Sequence, residues 1–291
     1  MDPQTIQTPE SSTTPQTASV QKPQVAKSTL WLTVVAISLG IVVIVLATMT
    51  VLSQKINEKT PEGPNVQRII DKGTIVVGTD GTFLPMEFFD ENGNLAGYDV
   101  ELANKIAETI GIKATVISYP WDDLFGKLLT DEVDLVISSV TITDERKLIY
   151  DFSTSYISAG QVIITQRTDD SISSTVNLAG KKIGVQAGTT NETEALKYTT
   201  DDLVVRYADY NVAATALVAG EIDAIFSDLP GAKGLINDNP TLKISSDPFT
   251  EENYGVVIKK GAPDLVAKIN EALNLLRQQG YLQYLQQKWL E

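Results

Sequence analysis

Short apolar runs alternate with helical patterns along most of the chain, and this alternation constrains the fold more than any other feature of the sequence. It occurs in two successive sets, the second of which begins after residues 161–165. Such alternation is typical of parallel sheets covered by helices. The sequence therefore predicts two α/β lobes, with ligands bound beyond the carboxyl ends of the strands. The predicted strands are 74–79, 113–118, 133–137, 182–185, 203–206 and 223–227, and the predicted helices are 98–110, 122–129, 192–198 and 212–219.

Ahead of the two lobes, the chain carries an uncharged apolar run over residues 30–52. The run is long enough for a tilted membrane-spanning helix. A buried core helix and a cleaved signal peptide are the alternatives, but a long polar tail precedes the run and no A-x-A cleavage site follows it. We predict a disordered polar tail over residues 1–28, an uncleaved transmembrane anchor over 29–52 and a linker over 53–66.

Composition excludes several classes of chemistry. The 291 residues include no cysteine and no histidine, so the chain cannot build a disulfide framework, a Cys/His zinc site or a Ser-His-Asp triad. The spacing of Gly180, Gly184 and Gly188 does not match a GxGxxG loop. The formal net charge of -14 argues against nucleic acid as a partner, because phosphate contacts need clustered lysine and arginine. No metal site, cofactor or catalytic residue is predicted.

The segment 138–146 follows the predicted strand 133–137 and combines small hydroxyl residues with a single arginine, Arg146. Backbone N–H groups and hydroxyls are fixed donors, and a guanidinium is a planar fork that keeps its charge, so the segment suits a carboxylate. The alternative is ordinary helix chemistry, in which Thr141 or Thr143 caps a helix and the arginine is solvated in its first turn. The segment alone does not decide between the two.

Polar and aromatic residues also follow the other predicted strands. Asp80 and Phe83 come after the first strand, Trp121 after the second, and Asp228 after the last. Residues 186–190 form a glycine turn that enters a helix, whose N-terminal N–H groups suit an anion. Each has an ordinary alternative: turn chemistry for Asp80, core packing for the aromatic residues, and helix capping for Asp228. Their joint occurrence at strand ends favours a binding site.

At these positions the chain resembles the substrate-binding proteins of ABC transporters for amino acids, over about residues 67–291. The resemblance implies a two-lobed periplasmic-binding-protein-like fold of type II, in which each lobe is a mostly parallel sheet flanked by helices. Lobe 1 would comprise residues 67–160 and 254–291, and lobe 2 residues 161–253. The motifs that carry the resemblance are Gly78-Thr79-Asp80 with Phe83 and Pro85, Gly97-Tyr98-Asp99-Val100, Ser138 through Arg146, Asp151-Phe152-Ser153, Ile183-Gly184-Val185-Gln186 with Gly188-Thr189, and Asp228.

The resemblance also implies roles for individual residues. Arg146 would bind the α-carboxylate of an amino acid and Asp228 its α-ammonium, so that opposite charges on the two lobes clamp one zwitterion. Phe83 and Trp121 would flank the ligand side chain, and Asp80 would meet its polar or cationic end. The implied ligand-binding residues are Asp80, Phe83, Trp121, Ser138, Ser139, Thr141, Arg146, Gln186, Thr189, Thr190 and Asp228.

In function, the resemblance implies a membrane-anchored, extracytoplasmic solute-binding protein rather than an enzyme. It would deliver arginine, lysine, histidine or glutamine to the permease and ATPase subunits of an importer. Thr190 stands where some members carry glycine or glutamine, and Gln186 can replace a lysine of others, which leaves the ligand open. The alternatives are a cyclohexadienyl- or arogenate-dehydratase-like enzyme on the same fold, with Glu87 or Asp80 as acid or base, and a ligand-sensing receptor module.

Overall fold

The computed structural model describes residues 37, 39–49 and 62–291. Residues 39–49 are helical. Within the described ranges, no helix combines the length and the apolar character needed to cross a membrane. The tail predicted over 1–28 lies outside the described residues, as do half of the anchor predicted over 29–52 and most of the linker predicted over 53–66.

Residues 62–291 belong to one compact unit of alternating strands and helices. The helices are α1 (Pro64–Lys72), α2 (Tyr98–Ile110), α3 (Trp121–Leu129), α4 (Asp144–Ile149), α5 (Thr190–Ala195), α6 (Tyr210–Val218), α7 (Leu229–Asp238), α8 (Pro263–Gln278) and α9 (Tyr281–Leu290). The strands are β1 (Thr74–Thr79), β2 (Thr82–Phe83), β3 (Glu87–Phe89), β4 (Leu95–Ala96), β5 (Lys113–Ser118), β6 (Leu135–Val136), β7 (Tyr150–Phe152), β8 (Ile157–Ala159), β9 (Gln161–Gln166), β10 (Ile183–Gln186), β11 (Val204–Tyr207), β12 (Ala224–Asp228), β13 (Leu242–Ile244), β14 (Glu252–Tyr254) and β15 (Val257–Lys259).

The first sheet has the order β5-β1-β6-β15-β7. β1 pairs in parallel with β5 and β6, whereas β15 runs antiparallel to both of its neighbours. Both faces of the sheet are covered: Ile75 and Val77 of β1 belong to a core shared with α2 and α8, and Val76 packs on the opposite side with α3. Burial on both faces explains why β1 is a nearly continuous apolar run.

The second sheet repeats this arrangement, with the order β11-β10-β12-β9-β13. β10 pairs in parallel with β11 and β12, and β9 is the strand that runs antiparallel to its two neighbours. Four of the five strands in each sheet therefore run in one direction. The two-lobed fold of mostly parallel sheets agrees with the prediction, and β9 and β15 are the exceptions in direction.

Two chain segments connect the sheets. β8 leads through Gly160 into β9, and β14 returns the chain to β15. β8 and β14 pair antiparallel to each other as a two-stranded ribbon, which we call the hinge ribbon. Because both connections lie in one ribbon, the carboxyl ends of the parallel strands in the two sheets can face each other across a cleft.

The globular unit begins earlier than predicted. Helix α1 starts at Pro64, within the predicted linker, and the carboxylate of Asp264 accepts hydrogen bonds from the N–H groups of Asn65 and Val66. These are N-terminal N–H groups that lack partners within the helix. The sequence around Pro64 does not contain this partner, because Asp264 lies at the start of α8 near the other end of the chain.

Candidate functional site

A cleft between the two sheets encloses about 360 Å³, part of it open to solvent. Ten of the eleven residues predicted to bind ligand line it, and Ser138 does not. The lining residues are Asp80, Phe83, Glu87, Trp121, Ser139, Thr141, Arg146, Gln186, Thr189, Thr190, Asn191, Tyr210 and Asp228.

Arg146 lies in the first turn of α4, and both sequence alternatives for its segment are partly right. The N–H of Arg146 donates to Oγ1 of Thr143, which caps the helix. The guanidinium, however, lines the cleft: Nη1 donates to the carbonyl of Thr141 at 2.9 Å, and Nη2 donates to the carbonyl of Gly188 at 3.4 Å. Its Cζ lies 5.7 Å from the ring centre of Trp121. Burial lowers the pKa of Arg146, but a guanidinium keeps its charge in proteins.

Asp228 ends β12 on the opposite lobe and precedes α7. Its carboxylate makes no capping bond to that helix, so the capping alternative is wrong. Instead Oδ1 accepts from the amide of Asn191 at 3.0 Å, and Oδ2 accepts from the hydroxyl of Tyr254 at 2.5 Å. Burial, followed by the negative charge of Glu252, raises the pKa of Asp228 to about 6, while Arg146 opposes the rise. The two opposite charges of the cleft therefore come from different lobes.

Asp80 follows β1 and forms a direct contact between the lobes. Its Oδ2 accepts a hydrogen bond of 3.0 Å from the side-chain amide of Gln186, at the end of β10. The same amide nitrogen donates to the carbonyl of Ala208. Burial raises the pKa of Asp80. The turn alternative does not account for a carboxylate buried in the cleft, and the backbone N–H of Asp80 donates to Oγ of Ser138, a residue distant in the chain.

Ser138 is not among the residues that line the cleft, and its predicted part in ligand binding stays a prediction. Its hydroxyl donates to Oε1 of Glu87 at 2.8 Å. Ser139 does line the cleft, in a left-handed conformation with φ of 50°, and its N–H donates to Oδ2 of Asp99 at 2.6 Å. Burial raises the pKa of Asp99 to about 6, and burial with the nearby Asp99 charge raises that of Glu87 well above its usual range. The two serines are thus held by a buried pair of carboxyl groups.

The glycine turn before α5 differs in part from the anion site expected there. The N–H of Gly188 donates to Oε2 of Glu192 at 2.8 Å, so a side chain of the helix occupies this donor. The hydroxyl of Thr189 donates to the carbonyl of Gln186. Thr189 and Thr190 nevertheless line the cleft opposite Arg146.

Three lining residues were not predicted as binding residues: Glu87, Asn191 and Tyr210. Tyr210 packs against Phe83 with ring centres 5.6 Å apart, and its hydroxyl donates to Oδ1 of Asn191 at 2.6 Å. Tyr210 follows β11, so its position past a strand end could have been used to predict it as a lining residue. Glu87 lies within β3 and had no such signal.

Residues 75–291 match the family described as bacterial extracellular solute-binding proteins, family 3. The chain belongs to this family. The match covers both sheets, the hinge ribbon and every residue that lines the cleft. The family is one of extracellular solute-binding proteins rather than enzymes.

Individual relatives of this family member are named for amino acids. The chain is 35% identical to the L-cystine-binding protein TcyJ of Escherichia coli K12, over 84% of this chain and 92% of that protein. It is 35% identical to the arginine-, lysine-, histidine-binding protein ArtJ of Geobacillus stearothermophilus, with a TM-score of 0.70 over 75% of this chain and 95% of that one. An ancestral amino acid-binding protein, described as a precursor of cyclohexadienyl dehydratase, is 33% identical, with a TM-score of 0.71 over 78% and 99% of the two chains.

Proposed function

We propose that the protein captures a polar or basic L-amino acid between its two lobes and delivers it to the permease and ATPase subunits of an ABC importer. One observation carries this proposal: Arg146 and Asp228 come from opposite lobes and line one buried cleft. Buried charges are costly unless they are paired and hydrogen-bonded. The carboxylate and ammonium groups of a free amino acid supply an opposite charge to each of the two residues at once.

The neighbours of Asp80 support a ligand with a polar or cationic side chain. Asp80 and Gln186 supply an acceptor and an amide at one part of the cleft, and Phe83 and Trp121 supply flat apolar surfaces. A guanidinium or ammonium stacks favourably on such rings. Outside the cleft, a second depression shares Arg146 with it and is otherwise lined by acidic rather than basic charged groups: Asp144, Glu145, Glu194, Glu251 and Glu252. This local excess of negative charge favours the approach of a cationic ligand.

We further propose that residues 29–52 hold the binding lobes at the outer side of the cell membrane. The support is the uncharged apolar run over residues 30–52, together with an extracellular family. A tether of this kind keeps a captured amino acid near the importer, because it raises the effective concentration of the binding protein at the membrane. We also propose lobe limits at residues 160/161 and 253/254, which fall at the hinge ribbon.

The dehydratase alternative has less support. One of its two candidate acids, Glu87, lines the cleft in a site where the neutral form is favoured. Its two oxygens, however, accept hydrogen bonds from the hydroxyls of Ser138 and Ser139. A carboxyl group whose two oxygens both accept hydrogen bonds holds the serines in place and is poorly placed to transfer a proton to a substrate.

Isothermal titration calorimetry tests the proposed function. The full chain in mild detergent is titrated with each of the twenty L-amino acids and with L-cystine. We expect a polar or basic amino acid to bind and the acidic ones not to bind. Binding of no amino acid, or binding that survives the loss of both Arg146 and Asp228, would contradict the proposal.

A further inference from the structure

Tyr254 is a fully buried residue of the hinge strand β14 and does not line the cleft. Its hydroxyl donates the 2.5 Å hydrogen bond to Oδ2 of Asp228 in the second lobe. Its ring lies within the core of the first lobe and packs beside Tyr156, with ring centres 6.3 Å apart. One side chain thus extends from the core of one lobe to the carboxylate of the other.

The backbone of the same strand is joined to the segment that leads to Arg146. Tyr254 forms an antiparallel bridge with Thr141. On either side, the N–H of Ile142 donates to the carbonyl of Asn253 at 2.8 Å, and the N–H of Gly255 donates to the carbonyl of Val140 at 3.0 Å. The carbonyl of Thr141 in turn accepts from the guanidinium of Arg146.

We propose that Tyr254 is a positioning residue that sets the distance between the two charge receptors of the cleft. Its backbone is fixed to the receptor for the α-carboxylate, and its hydroxyl holds the receptor for the α-ammonium. This inference rests on the proposed function, because it assigns those two groups to Arg146 and Asp228. In an α-amino acid both charges are attached to one carbon, so the spacing of their receptors must be held within a fraction of an ångström.

The hydroxyl also acts on the charge of Asp228. A hydrogen bond to a carboxylate favours the ionised form, which is the form that attracts an ammonium group. The other groups that act on Asp228 are the amide of Asn191, the cation of Arg146 and the carboxylate of Glu252, and the hydroxyl of Tyr210, whose pKa the Asp228 charge raises, is bonded to Asn191. Glu252 opposes ionisation. Loss of the tyrosine hydroxyl therefore leaves a carboxylate that is both less fixed and harder to ionise.

Tyr254→Phe tests the inference, because it removes the hydroxyl and keeps the ring. The full chain is titrated with L-arginine between about pH 5 and pH 8, and Asp228 is followed by carbon-13 NMR in the ligand-free protein, with Asp228→Asn to assign its signal. We expect affinity at neutral pH to fall by about ten- to a hundredfold, as for loss of a hydrogen bond to a charged group. We also expect the midpoint of the pH profile and the pKa of Asp228 to rise together.

Tyr198→Phe is the matched control. Its hydroxyl donates to Glu194 outside the cleft, so its removal should leave the pH profile of binding unchanged. An unchanged affinity, or a weaker affinity with an unmoved pH profile and an unmoved Asp228 pKa, would overturn the positioning role alone. A wild-type protein that binds none of the amino acids would overturn the proposed function, and with it this inference.

Discussion

At the scale of single residues, Arg146 takes part both in the cap of a short helix and in the lining of the cleft. Its backbone N–H completes the cap of α4 through Thr143, while its side chain extends into the cleft. None of the residues of α4 is buried. The fold therefore does not depend on the Arg146 side chain for core packing, and changes in that side chain can be interpreted as effects on the cleft.

Arg146→Ala should abolish amino-acid binding without unfolding the protein. The change leaves the backbone N–H that bonds to Thr143 and removes the charged fork that suits a carboxylate. Calorimetry measures binding, and a thermal melt followed by circular dichroism measures stability. Lys147→Ala is the neighbouring control, because that side chain is exposed and pairs only with Asp144 in the described ion pairs; it should bind normally. Undiminished binding by Arg146→Ala would show that Arg146 does not contribute to the binding site.

Asp80→Asn should change selectivity more than overall stability. Asparagine keeps the shape and can still accept from Gln186, but it lacks the negative charge that would meet a cationic side chain. We expect affinity for arginine or lysine to fall at least about tenfold more than affinity for glutamine, since hydrogen bonds to charged groups are the stronger ones. Competition calorimetry with arginine and glutamine measures the ratio. Equal losses for both ligands would show that Asp80 does not read the ligand's charge.

Placement in the cleft was predictable from the sequence where a polar residue follows a strand and was not predictable where burial decides it, while the roles of these residues in ligand binding stay predictions. Asp80, Arg146 and Asp228 are polar residues past strand ends, and all three line the cleft. Ser138 also follows a predicted strand, but its hydroxyl donates to Glu87, one of the two buried carboxyl groups. Its orientation depends on Glu87, a residue distant in the chain, and no local pattern specifies such a partner.

At the scale of elements, the helices and strands were largely predictable because their apolar periodicity is strong. The strands at 74–79 and 113–118 and the helix at 98–110 were predicted at their observed bounds. The strand predicted at 133–137 is reduced to Leu135–Val136, although its apolar residues are buried. An apolar run indicates that its residues are buried. The limits of the strand depend instead on its pairing with β1 and β15, and the apolar run does not specify that pairing.

Helix α7 of the second lobe approaches the first lobe through two glycines. A Cβ at Gly234 would lie 2.2 Å from the carbonyl oxygen of Leu84, and one at Gly231 would lie 1.9 Å from the ring of Phe83. Both neighbours belong to the first lobe. The absence of side chains at these two positions therefore permits the close approach of the lobes. Helix α7 itself does not require glycine at either position.

Gly234→Ala should weaken amino-acid binding by hindering lobe closure. The backbone carbonyl of Leu84 cannot swing aside as a flexible side chain would, so the lobes must separate slightly. We expect at least about a tenfold loss of affinity, because ligand binding must then also drive an unfavourable closure. Calorimetry measures the loss, and small-angle scattering of the ligand-free protein should show a larger radius of gyration.

Gly126→Ala is the matched control for that prediction. Gly126 also lies within a helix, α3, but a Cβ there would meet nothing within 4 Å. Alanine should stabilise this helix by up to about 1 kcal/mol and leave binding unchanged. If both glycine variants bind equally well, contact through α7 does not limit closure.

At the scale of the whole molecule, the two sheets have equivalent strand orders, and one ribbon joins them. Opposing receptors at the two strand-end edges can therefore close on a ligand by rotation about β8 and β14, without repacking either core. The sequence predicted the two-lobed design from its two alternating sets. It did not predict the bonds between lobes, such as that between Gln186 and Asp80, because these depend on the relative placement of the lobes.

The ligand-free protein should become less stable as the pH rises from about 4 to about 7. Burial raises the folded-state pKa of both Asp99 and Asp228 to about 6, whereas an unfolded aspartate titrates near 3.9. The folded protein thus binds more protons in this interval, and stability is lost as the pH passes through the folded pKa values. Each group accounts for roughly 2–3 kcal/mol at most, since one pKa unit corresponds to about 1.4 kcal/mol.

Urea unfolding at several pH values between these limits measures the effect, and variants separate its sources. Asp228→Asn and Asp99→Asn should each reduce the pH dependence, and the raised pKa values of Asp80 and Glu87 account for the remainder. The carboxyl groups with lowered pKa values, including Asp90 and Asp264, act in the opposite direction, but only at the acid end of this interval, where the unfolded chain begins to bind protons at these groups. A bound amino acid should restore stability above about pH 6, because its ammonium group pairs with ionised Asp228 and lowers the pKa of that group. A stability that rises across this interval in the ligand-free protein would contradict the assignment of Asp99 and Asp228 as buried acids with raised pKa values.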